Sequence, residues 1–259
     1  MTKSTTEQTV VITGGATGLG YAIAELFLGQ RANVVLNGRT ESKLAQAAQQ
    51  LGQPDRVAIV AGDVTDPQTP DRIVECALER FGRLDVLINN AGVFRSKPFT
   101  DYAAAELDEY LGYLRGAFLL SQAAVRQMRK QGSGGAIISI TTVLAINGVA
   151  GTPSSAPIAA KGGLNALTQN LAIELAPDNI RVNAVAPGVV HTPLLGELNE
   201  SQLKALNGMQ PLGRYGTPRD IADAVLYLAN ANWVTGVVLP VDGGVTAGGD
   251  GTAHLMAKK

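Results

Sequence analysis

The chain has 259 residues, 46% of them hydrophobic, which suits one large globular α/β domain with a sizeable core. Its formal net charge is −1 and its aromatic content is 5%, and no basic run stands out, so the composition argues against a nucleic-acid-binding surface. Cys76 is the single cysteine, which excludes an internal disulfide and a cysteine-based metal cluster.

The first eight residues are polar and lack the apolar segment of a secretory signal. No apolar run reaches the length of a transmembrane helix, so we expect a cytoplasmic protein that does not contact a membrane. Charged residues make up 17% of the chain, below the usual share of about 25%. This low charge indicates surface that is buried in an oligomer, although a surface rich in alanine explains it equally well.

The chain opens with an apolar strand at residues 10–12, a glycine-rich turn, and a helix at residues 21–30. Glycines allow a tight turn and a close approach to a ligand, and the first amides of a helix point at an anion. A tight strand-to-helix connection without a ligand is the alternative. We expect this turn to hold a phosphate through Gly14, Thr17, Gly18, Leu19 and Gly20.

The second strand, at residues 32–37, is followed by Gly38 and Arg39. In dinucleotide-binding folds that prefer NAD, an acidic residue about 20 residues past the turn holds the ribose 2′-hydroxyl. A guanidinium instead binds a 2′-phosphate with two hydrogen bonds, so the sequence favours NADP over NAD. Alternatively, Arg39 is a solvated residue at the start of a helix at residues 40–50.

Strands and helices continue to alternate along the rest of the chain. The predicted strands lie at residues 56–61, 84–88, 136–140, 180–186 and 237–241, and the predicted helices at 71–81, 106–130, 158–175 and 220–230. This order predicts a doubly wound, Rossmann-like parallel sheet of about seven strands with helices on both faces. We expect a single domain over residues 1–259, with its core at about 9–244 and a polar tail at 248–259.

Five short motifs occur in a fixed order. They are Thr13-Gly14-x-x-x-Gly18-x-Gly20, Asp63-Val64, Asn89-Asn90-Ala91-Gly92, Pro187-Gly188-Val189-Val190-His191-Thr192 and Val241-Asp242-Gly243-Gly244. In this order they resemble the short-chain dehydrogenase/reductase family over nearly the whole chain. The resemblance implies a nicotinamide cofactor and hydride transfer to or from a carbon that bears a hydroxyl or carbonyl group.

The resemblance also implies positions for the cofactor. Asp63 and Val64 border the adenine, and the backbone of Val190 and the side chain of Thr192 hold the nicotinamide carboxamide. The remaining positions, which let the backbone approach the cofactor or form the turn before the carboxamide site, are Asn89, Ala91, Gly92, Pro187 and Gly188. Asp63 as a turn or capping residue, and plain Asn/Gly and Pro-Gly turns, are the alternatives.

The catalytic residues of the family fit this chain only in part. The family has a tyrosine four residues before a lysine that holds the nicotinamide ribose; Lys161 fits the lysine, but Pro157 occupies the tyrosine position and has no proton to donate. The serine of the family matches Thr142, or else Thr141, and its asparagine matches Tyr113. We therefore expect Lys161, Thr142 and Tyr113 to be the catalytic residues.

Three functions remain open. The first is an oxidoreductase that uses another proton donor, namely Tyr113, Ser154, Ser155, His191 or a water held by Lys161. Each side chain also has a structural alternative. Tyr113 suits helix packing, the two serines suit helix caps, and His191 suits exposure to solvent. The second is an NADP-binding protein with non-redox chemistry. The third is a cofactor-binding pseudoenzyme that acts as a sensor or partner subunit.

Two further segments bear on substrate and assembly. Residues 194–209 are predicted to cover the substrate or to pack as an ordinary amphipathic helix, with apolar side chains at Leu194, Leu195, Leu198, Leu203, Leu206 and Met209. They indicate a small, apolar carbonyl or alcohol substrate. The helix at residues 106–130 packs against another subunit in related oligomeric proteins, so we expect a homo-oligomer, either a tetramer or a dimer.

Overall fold

The computed structural model describes residues 8–149, 151–193 and 199–247. Its seven described strands are β1 Thr9–Thr13, β2 Asn33–Gly38, β3 Val57–Ala61, β4 Val86–Asn89, β5 Gly135–Ile140, β6 Ile180–Pro187 and β7 Val238–Val241. They form one sheet in the order β3-β2-β1-β4-β5-β6-β7, and every neighbouring pair is parallel. The doubly wound α/β class that the sequence predicts is confirmed.

Helices cover both faces of the sheet. In chain order, the α-helices of the described ranges are α1 Gly18–Gly29, α2 Glu41–Leu51, α3 Thr69–Phe81, α4 Ala104–Gln131, α5 Ser155–Glu174, α6 Glu200–Met209 and α7 Pro218–Asn230. Buried side chains of α1, α2 and α7 pack on one face, and those of α3, α4 and α5 pack on the other. Because both faces are covered, the central strands are apolar throughout.

The first strand illustrates how the sequence divides between the two layers. Val10 and Ile12 belong to the core under α1 and α7, whereas Val11 lies in the core under α3 and α4. Successive side chains of a strand point to opposite faces, so a continuous apolar run supplies both cores at once.

Helix boundaries differ from the predicted ones by a few residues. Helix α3 begins at Thr69 rather than residue 71, and α5 begins at Ser155 rather than residue 158. Pro157 therefore lies in the first turn of α5, where a missing amide leaves no helical hydrogen bond unmade. The amide of Ile158 is the first to bond back, to the carbonyl oxygen of Ser154 at 3.0 Å.

The strand order places a crevice at the carboxyl end of the sheet. The chain leaves β1 toward β2 and β3, then crosses to β4 on the other side of β1. Doubly wound folds bind their ligands where the strand order reverses in this way, here beyond the ends of β1 and β4. No helix in the described ranges is long and apolar enough to cross a bilayer. The predicted polar tail at 248–259 lies outside the described residues.

Candidate active site

The turn between β1 and α1 needs its glycines. Gly14 and Gly18 have φ angles of +63° and +56°, in the left-handed region that favours glycine. A Cβ atom on Gly20 would overlap the carbonyl oxygen of Gly14, so a side chain at this position would force the turn apart. Thr17 stands at the N-cap of α1, and its side chain makes no capping hydrogen bond.

Three backbone amides at the start of α1 make no hydrogen bond to a described residue. The amide of Tyr21 is the first to bond back, to the carbonyl oxygen of Thr17 at 3.3 Å. Among the described residues, no acceptor takes the amides of Gly18, Leu19 or Gly20. Unpaired amides at the positive end of a helix dipole suit a phosphate group, so the residues present fit the diphosphate of a dinucleotide.

Side chains at the ends of β1 and β4 join the two strands where the crevice opens. The hydroxyl oxygen of Thr13 accepts hydrogen bonds from the amides of Asn90 at 3.0 Å and Ala91 at 2.9 Å. The side-chain nitrogen of Asn90 donates to the carbonyl oxygens of Thr13 at 2.8 Å and Gly14 at 3.1 Å. These bonds tie the glycine turn to the 89–92 motif; the motif around Thr13 was recognised, but this role of its hydroxyl was not predicted.

The residues predicted to hold the adenosine lie at the ends of β2 and β3. Arg39 is exposed and forms no ion pair with any described residue. The carboxylate of Asp63 accepts a hydrogen bond from the amide of Thr65 at 2.9 Å. This bond agrees with the alternative interpretation of Asp63 as a turn residue. Val64 is buried, and Asn89 donates from its side chain to the hydroxyl oxygen of Ser121 at 3.0 Å.

The 187–192 motif lies next to the glycine turn. Pro187 ends β6, and a Cβ on Gly188 would lie 2.8 Å from the Cα atom of Asp242, so this glycine permits close packing. Val190 is buried, and a Cβ built on Gly18 would lie 3.6 Å from the Cβ atom of Thr192. The segment assigned to the diphosphate and the segment assigned to the nicotinamide carboxamide therefore lie next to each other.

A cavity lies beside this crevice, between the strand ends, α4 and α5. It brings together several predicted residues, namely Val64, Asn89, Ala91, Gly92, Tyr113 and Lys161. Pro157 and Lys161, four residues apart on α5, both line it. Thr142 does not line this cavity, although it follows β5 by two residues.

Lys161 is fixed at the end of β5. Its Nζ atom donates to the carbonyl oxygen of Ile140 at 2.5 Å. A Cβ on Gly92 would lie 3.4 Å from the same Nζ atom, so the lysine approaches the 89–92 motif closely. Burial lowers the pKa of Lys161 to about 8, because an enclosed ammonium group loses its hydration.

The other two predicted catalytic residues have different surroundings. Tyr113 is half-buried on α4; burial raises the pKa of its phenol, Glu109 raises it further, and Arg39 opposes both effects. The hydroxyl oxygen of Thr142 accepts the amide of Leu144 at 3.3 Å and caps a short 3₁₀ helix.

The remaining donor candidates are engaged elsewhere. Thr141 donates its hydroxyl to the carbonyl oxygen of Val185 at 3.3 Å. Ser154 stands at the N-cap of α5, but its hydroxyl donates to the carbonyl oxygen of Thr152 at 3.0 Å, so the expected side-chain cap is wrong for this residue. Ser155 is the first residue of α5. His191 is exposed, and its ring centroid lies 5.5 Å from that of Tyr215.

Sequence reasoning missed Tyr110, one turn before Tyr113 on α4. Tyr110 lines the cavity and is only 2% exposed, and its hydroxyl oxygen makes no hydrogen bond to a described residue. The only available signal was its spacing, since residues 110, 113 and 114 share one face of a helix.

The predicted substrate cover is described only in part. Leu203 and Leu206 are half-buried on α6, and neither lines the cavity. Leu194, Leu195, Leu198 and the side chain of Met209 lie outside what the structure describes. In the described ranges, no group of three or more His, Cys, Asp and Glu side chains is placed to hold a metal ion.

Comparisons with known proteins agree on one class. Residues 14–246 match the family model described as enoyl-(acyl carrier protein) reductase. The chain is 38% identical to an L-rhamnose-1-dehydrogenase of Scheffersomyces stipitis, over 95% of this chain and 98% of the relative. It is also 38% identical to a 3alpha-hydroxysteroid dehydrogenase of Mediterraneibacter gnavus, over 90% and 94% of the two chains. A crystal structure of a short-chain type dehydrogenase/reductase from Mycobacterium marinum superposes with a TM-score of 0.88, at 30% identity, covering 95% of this chain and 98% of the other.

Proposed function

The chain belongs to the short-chain dehydrogenase/reductase family, and we propose that it is an NADP-dependent oxidoreductase with a proton donor other than the family's tyrosine. Its relatives named above are oxidoreductases. The observation that carries the proposal is the set of three free amides at the start of α1, beside a cavity that contains Lys161. We also propose that residues 1–259 form a single nucleotide-binding domain.

The cofactor positions follow from this proposal. Arg39 binds the 2′-phosphate, Asp63 and Val64 border the adenine, and Thr192 with the backbone of Val190 holds the carboxamide. The residues that contact the diphosphate, or that contact the cofactor at the ends of the strands, are Gly14, Thr17, Gly18, Leu19, Gly20, Asn89, Ala91, Gly92, Pro187 and Gly188. When bound, the nicotinamide supplies or accepts the hydride, and side chains of the protein donate or accept the proton of the substrate oxygen.

Three side chains act at the substrate in this proposal. Lys161 lies in the cavity and also holds the ribose, Tyr113 lines the same cavity, and Thr142 follows the strand whose last carbonyl Lys161 contacts. The Thr142 hydroxyl accepts one hydrogen bond, which leaves its own proton available for a substrate oxygen. Pro157 occupies the place of the family's tyrosine, so no phenol adjoins Lys161 on α5.

The cavity favours an apolar carbonyl or alcohol substrate. Most of its lining is aliphatic, with Val93, Leu114, Ala117, Leu120 and Leu164 among the wall residues. The two relatives are named for a sugar and for a steroid. The cavity has a volume of about 20 Å³, room for about one water molecule, so its wall bears on the surroundings of the reacting oxygen and not on the size of the substrate. A small apolar ketone such as cyclohexanone is therefore a suitable probe.

A second function is favoured by Pro157 itself. A chain that binds NADP without redox turnover, either as a non-redox enzyme or as a sensor, needs no phenol at this position. The two functions agree on the cofactor and differ on hydride transfer.

Calorimetry and absorbance together test the proposal. We expect the protein to bind NADPH more tightly than NADH, and to oxidise NADPH with cyclohexanone or a 3-oxosteroid faster than it reduces NADP with L-rhamnose. No affinity for either nucleotide would refute the oxidoreductase and the sensor alike. NADPH binding without turnover on the whole panel would support the second function.

A further inference from the structure

The cavity holds few groups that can exchange a proton. Thr13 already donates its hydroxyl to the carbonyl oxygen of Ile88 at 3.4 Å, and the amide of Asn89 does not titrate. Among the described residues, the titratable groups in its lining are two phenols on α4, Tyr110 and Tyr113, and the amine of Lys161 on α5. The strand ends contribute no charged side chain to this wall.

The two phenols are poorly suited to exchange a proton with a substrate. The hydroxyl oxygen of Tyr110 is enclosed in protein and inaccessible to solvent. The phenol of Tyr113 is held protonated by burial, which makes it a weaker acid than an exposed tyrosine, and its charged neighbours are Arg39, Glu109, Asp63 and Arg95. Two of these, Arg39 and Asp63, belong to the end of the crevice assigned to the adenosine.

The ammonium group of Lys161 has hydrogen-bond donors that remain available to a ligand. Its Nζ atom contacts one acceptor, the backbone oxygen of Ile140, and no carboxylate in the described part of the chain pairs with it. An ammonium group carries three donors, so two remain for ligands. Its lowered pKa of about 8 lies near neutral pH, where a general acid or base is most effective.

We propose that Lys161 is itself the general acid and base of the reaction, in place of the phenol that Pro157 cannot supply. In reduction, the carbonyl carbon of the substrate accepts a hydride from a reduced nicotinamide while its oxygen takes a proton from the Lys161 ammonium. The C=O double bond becomes a single bond, new C–H and O–H bonds form, and the neutral amine regains its proton from solvent. In oxidation, the neutral amine accepts the hydroxyl proton. The inference rests on the proposed function.

The pH dependence of turnover distinguishes this role from a purely structural one. Reduction requires the ammonium, so kcat/KM for cyclohexanone should fall as the pH rises through about 8. Oxidation requires the amine, so the rate with cyclohexanol should rise through the same pH. The variant Tyr113→Phe should keep both inflections. Profiles that lack an inflection near 8, or that lose it in Tyr113→Phe, would overturn the proposal.

An arginine substitution separates charge from proton transfer. Lys161→Arg keeps a cation and hydrogen-bond donors, but a guanidinium does not release its proton near neutral pH. We expect turnover to fall at least about 100-fold. The affinity for NADPH should change by less than about threefold, because the cation that meets the ribose is retained. The matched control Lys130→Arg, at an exposed position near the end of α4, should leave both quantities unchanged. Turnover in Lys161→Arg close to the wild-type rate would refute the role.

A third measurement needs no turnover. Reductive methylation with carbon-13 formaldehyde labels the lysines, and the signal absent from Lys161→Arg identifies Lys161 in the NMR spectrum. We expect this signal to titrate with a midpoint near 8, and a midpoint near the usual value of about 10.4 would overturn the proposal. NADPH binding by the wild type is measured separately, so a failure of the cofactor assignment is distinguishable from a failure of Lys161 as the acid. NADPH binding with no turnover on the whole panel would refute the oxidoreductase and this proposal together, whereas turnover without an inflection near 8 would overturn this proposal alone.

Discussion

The buried hydroxyl of Tyr110 predicts an unusual effect on stability. Arg95 pairs with Glu109 at 2.7 Å and interacts only weakly with the Tyr110 hydroxyl, which is inaccessible to solvent and makes no hydrogen bond of normal length to a described residue. Tyr110→Phe removes this polar group and keeps the ring, so we expect the free energy of unfolding to rise by about 1 kcal/mol. Thermal denaturation should show an increase of about 3 °C in Tm.

Tyr102→Phe is the matched control for Tyr110. The hydroxyl of Tyr102 donates to the backbone oxygen of Arg95 at 2.9 Å, and its ring meets that of Tyr110 edge-on. Its loss should therefore lower the free energy of unfolding by about 1 kcal/mol, since a hydrogen bond is removed. A lower Tm for Tyr110→Phe would show that its hydroxyl has a partner in solution.

Arg39 predicts the coenzyme preference. It is exposed beyond the end of β2 and has no ion pair among the described residues, so its guanidinium is available to a 2′-phosphate. We expect Arg39→Ala to weaken NADPH binding about 10- to 100-fold, as the loss of a charge-assisted pair should, while NADH binding stays unchanged. Calorimetric titrations with the two nucleotides provide the measurement. An equal loss for both nucleotides would place Arg39 away from the 2′-phosphate.

Individual side chains differ in how far the sequence predicts them. The glycines at 14 and 20 could be predicted because their roles depend on the backbone alone. The lack of a hydrogen-bond partner for the Tyr110 hydroxyl could not be predicted, because a tyrosine on the apolar face of a helix is usually a packing residue. Whether the hydroxyl finds a partner depends on how α4 packs against the segment around Arg95. The pKa of Lys161 likewise depends on enclosure by elements that are distant in sequence.

At the level of single elements, the start of α7 predicts a pH-dependent contribution to stability. Asp220 accepts hydrogen bonds from Arg214 at 2.8 Å and from the amide of Thr217 at 2.7 Å. Its pKa is held well below the usual range, chiefly by the Arg214 guanidinium. We expect Asp220→Asn to lower the free energy of unfolding by about 1 kcal/mol at pH 7, as the loss of a helix cap does.

The sign of this effect follows from the lowered pKa. The carboxylate stabilises the folded state at any pH above its unfolded pKa of about 3.9, and this contribution is lost as the pH falls further. Urea unfolding at pH 7 and at pH 3 should therefore give a smaller difference between Asp220→Asn and the wild type at the lower pH. The control Asp223→Asn breaks only an exposed pair with Arg219, so it should have little effect at either pH. A constant difference for Asp220→Asn would contradict the assignment.

Elements as such were largely predictable, and their ends were not. Largely apolar runs of three to seven residues predicted each strand, since strands buried on both faces carry continuous apolar sequence. The start of α5 was predicted three residues late because Pro157 reads as a helix breaker, whereas in the first turn its missing amide is harmless. Ser154 was expected to cap that helix, but its hydroxyl bonds back to Thr152.

For the whole molecule, the order of the strands could be predicted from local rules, but the contents of the cavity could not. Alternating strands and short connections restrict the sheet to a few right-handed topologies, and the crevice between β1 and β4 follows from the one observed. The cavity combines residues from β1, β4, α4 and α5 that are up to about 150 positions apart in sequence, so its walls depend on packing that no local pattern encodes.

An exposed apolar stripe on α4 predicts self-association of the whole molecule. Leu107 is 39% exposed, Leu111 is 39% exposed and Phe118 is 43% exposed, and their spacing places them along one side of the helix. We propose that a second copy of the chain covers this stripe, because a monomer rarely leaves such a row of large apolar side chains in water. Phe118→Glu should reduce the molar mass measured by size-exclusion chromatography with light scattering, since a buried, unpaired charge opposes association. Phe99→Glu, at a 78% exposed position before α4, is the control with the same change in charge. Wild-type protein that elutes as a monomer, or an unchanged mass for Phe118→Glu, would refute an interface on α4.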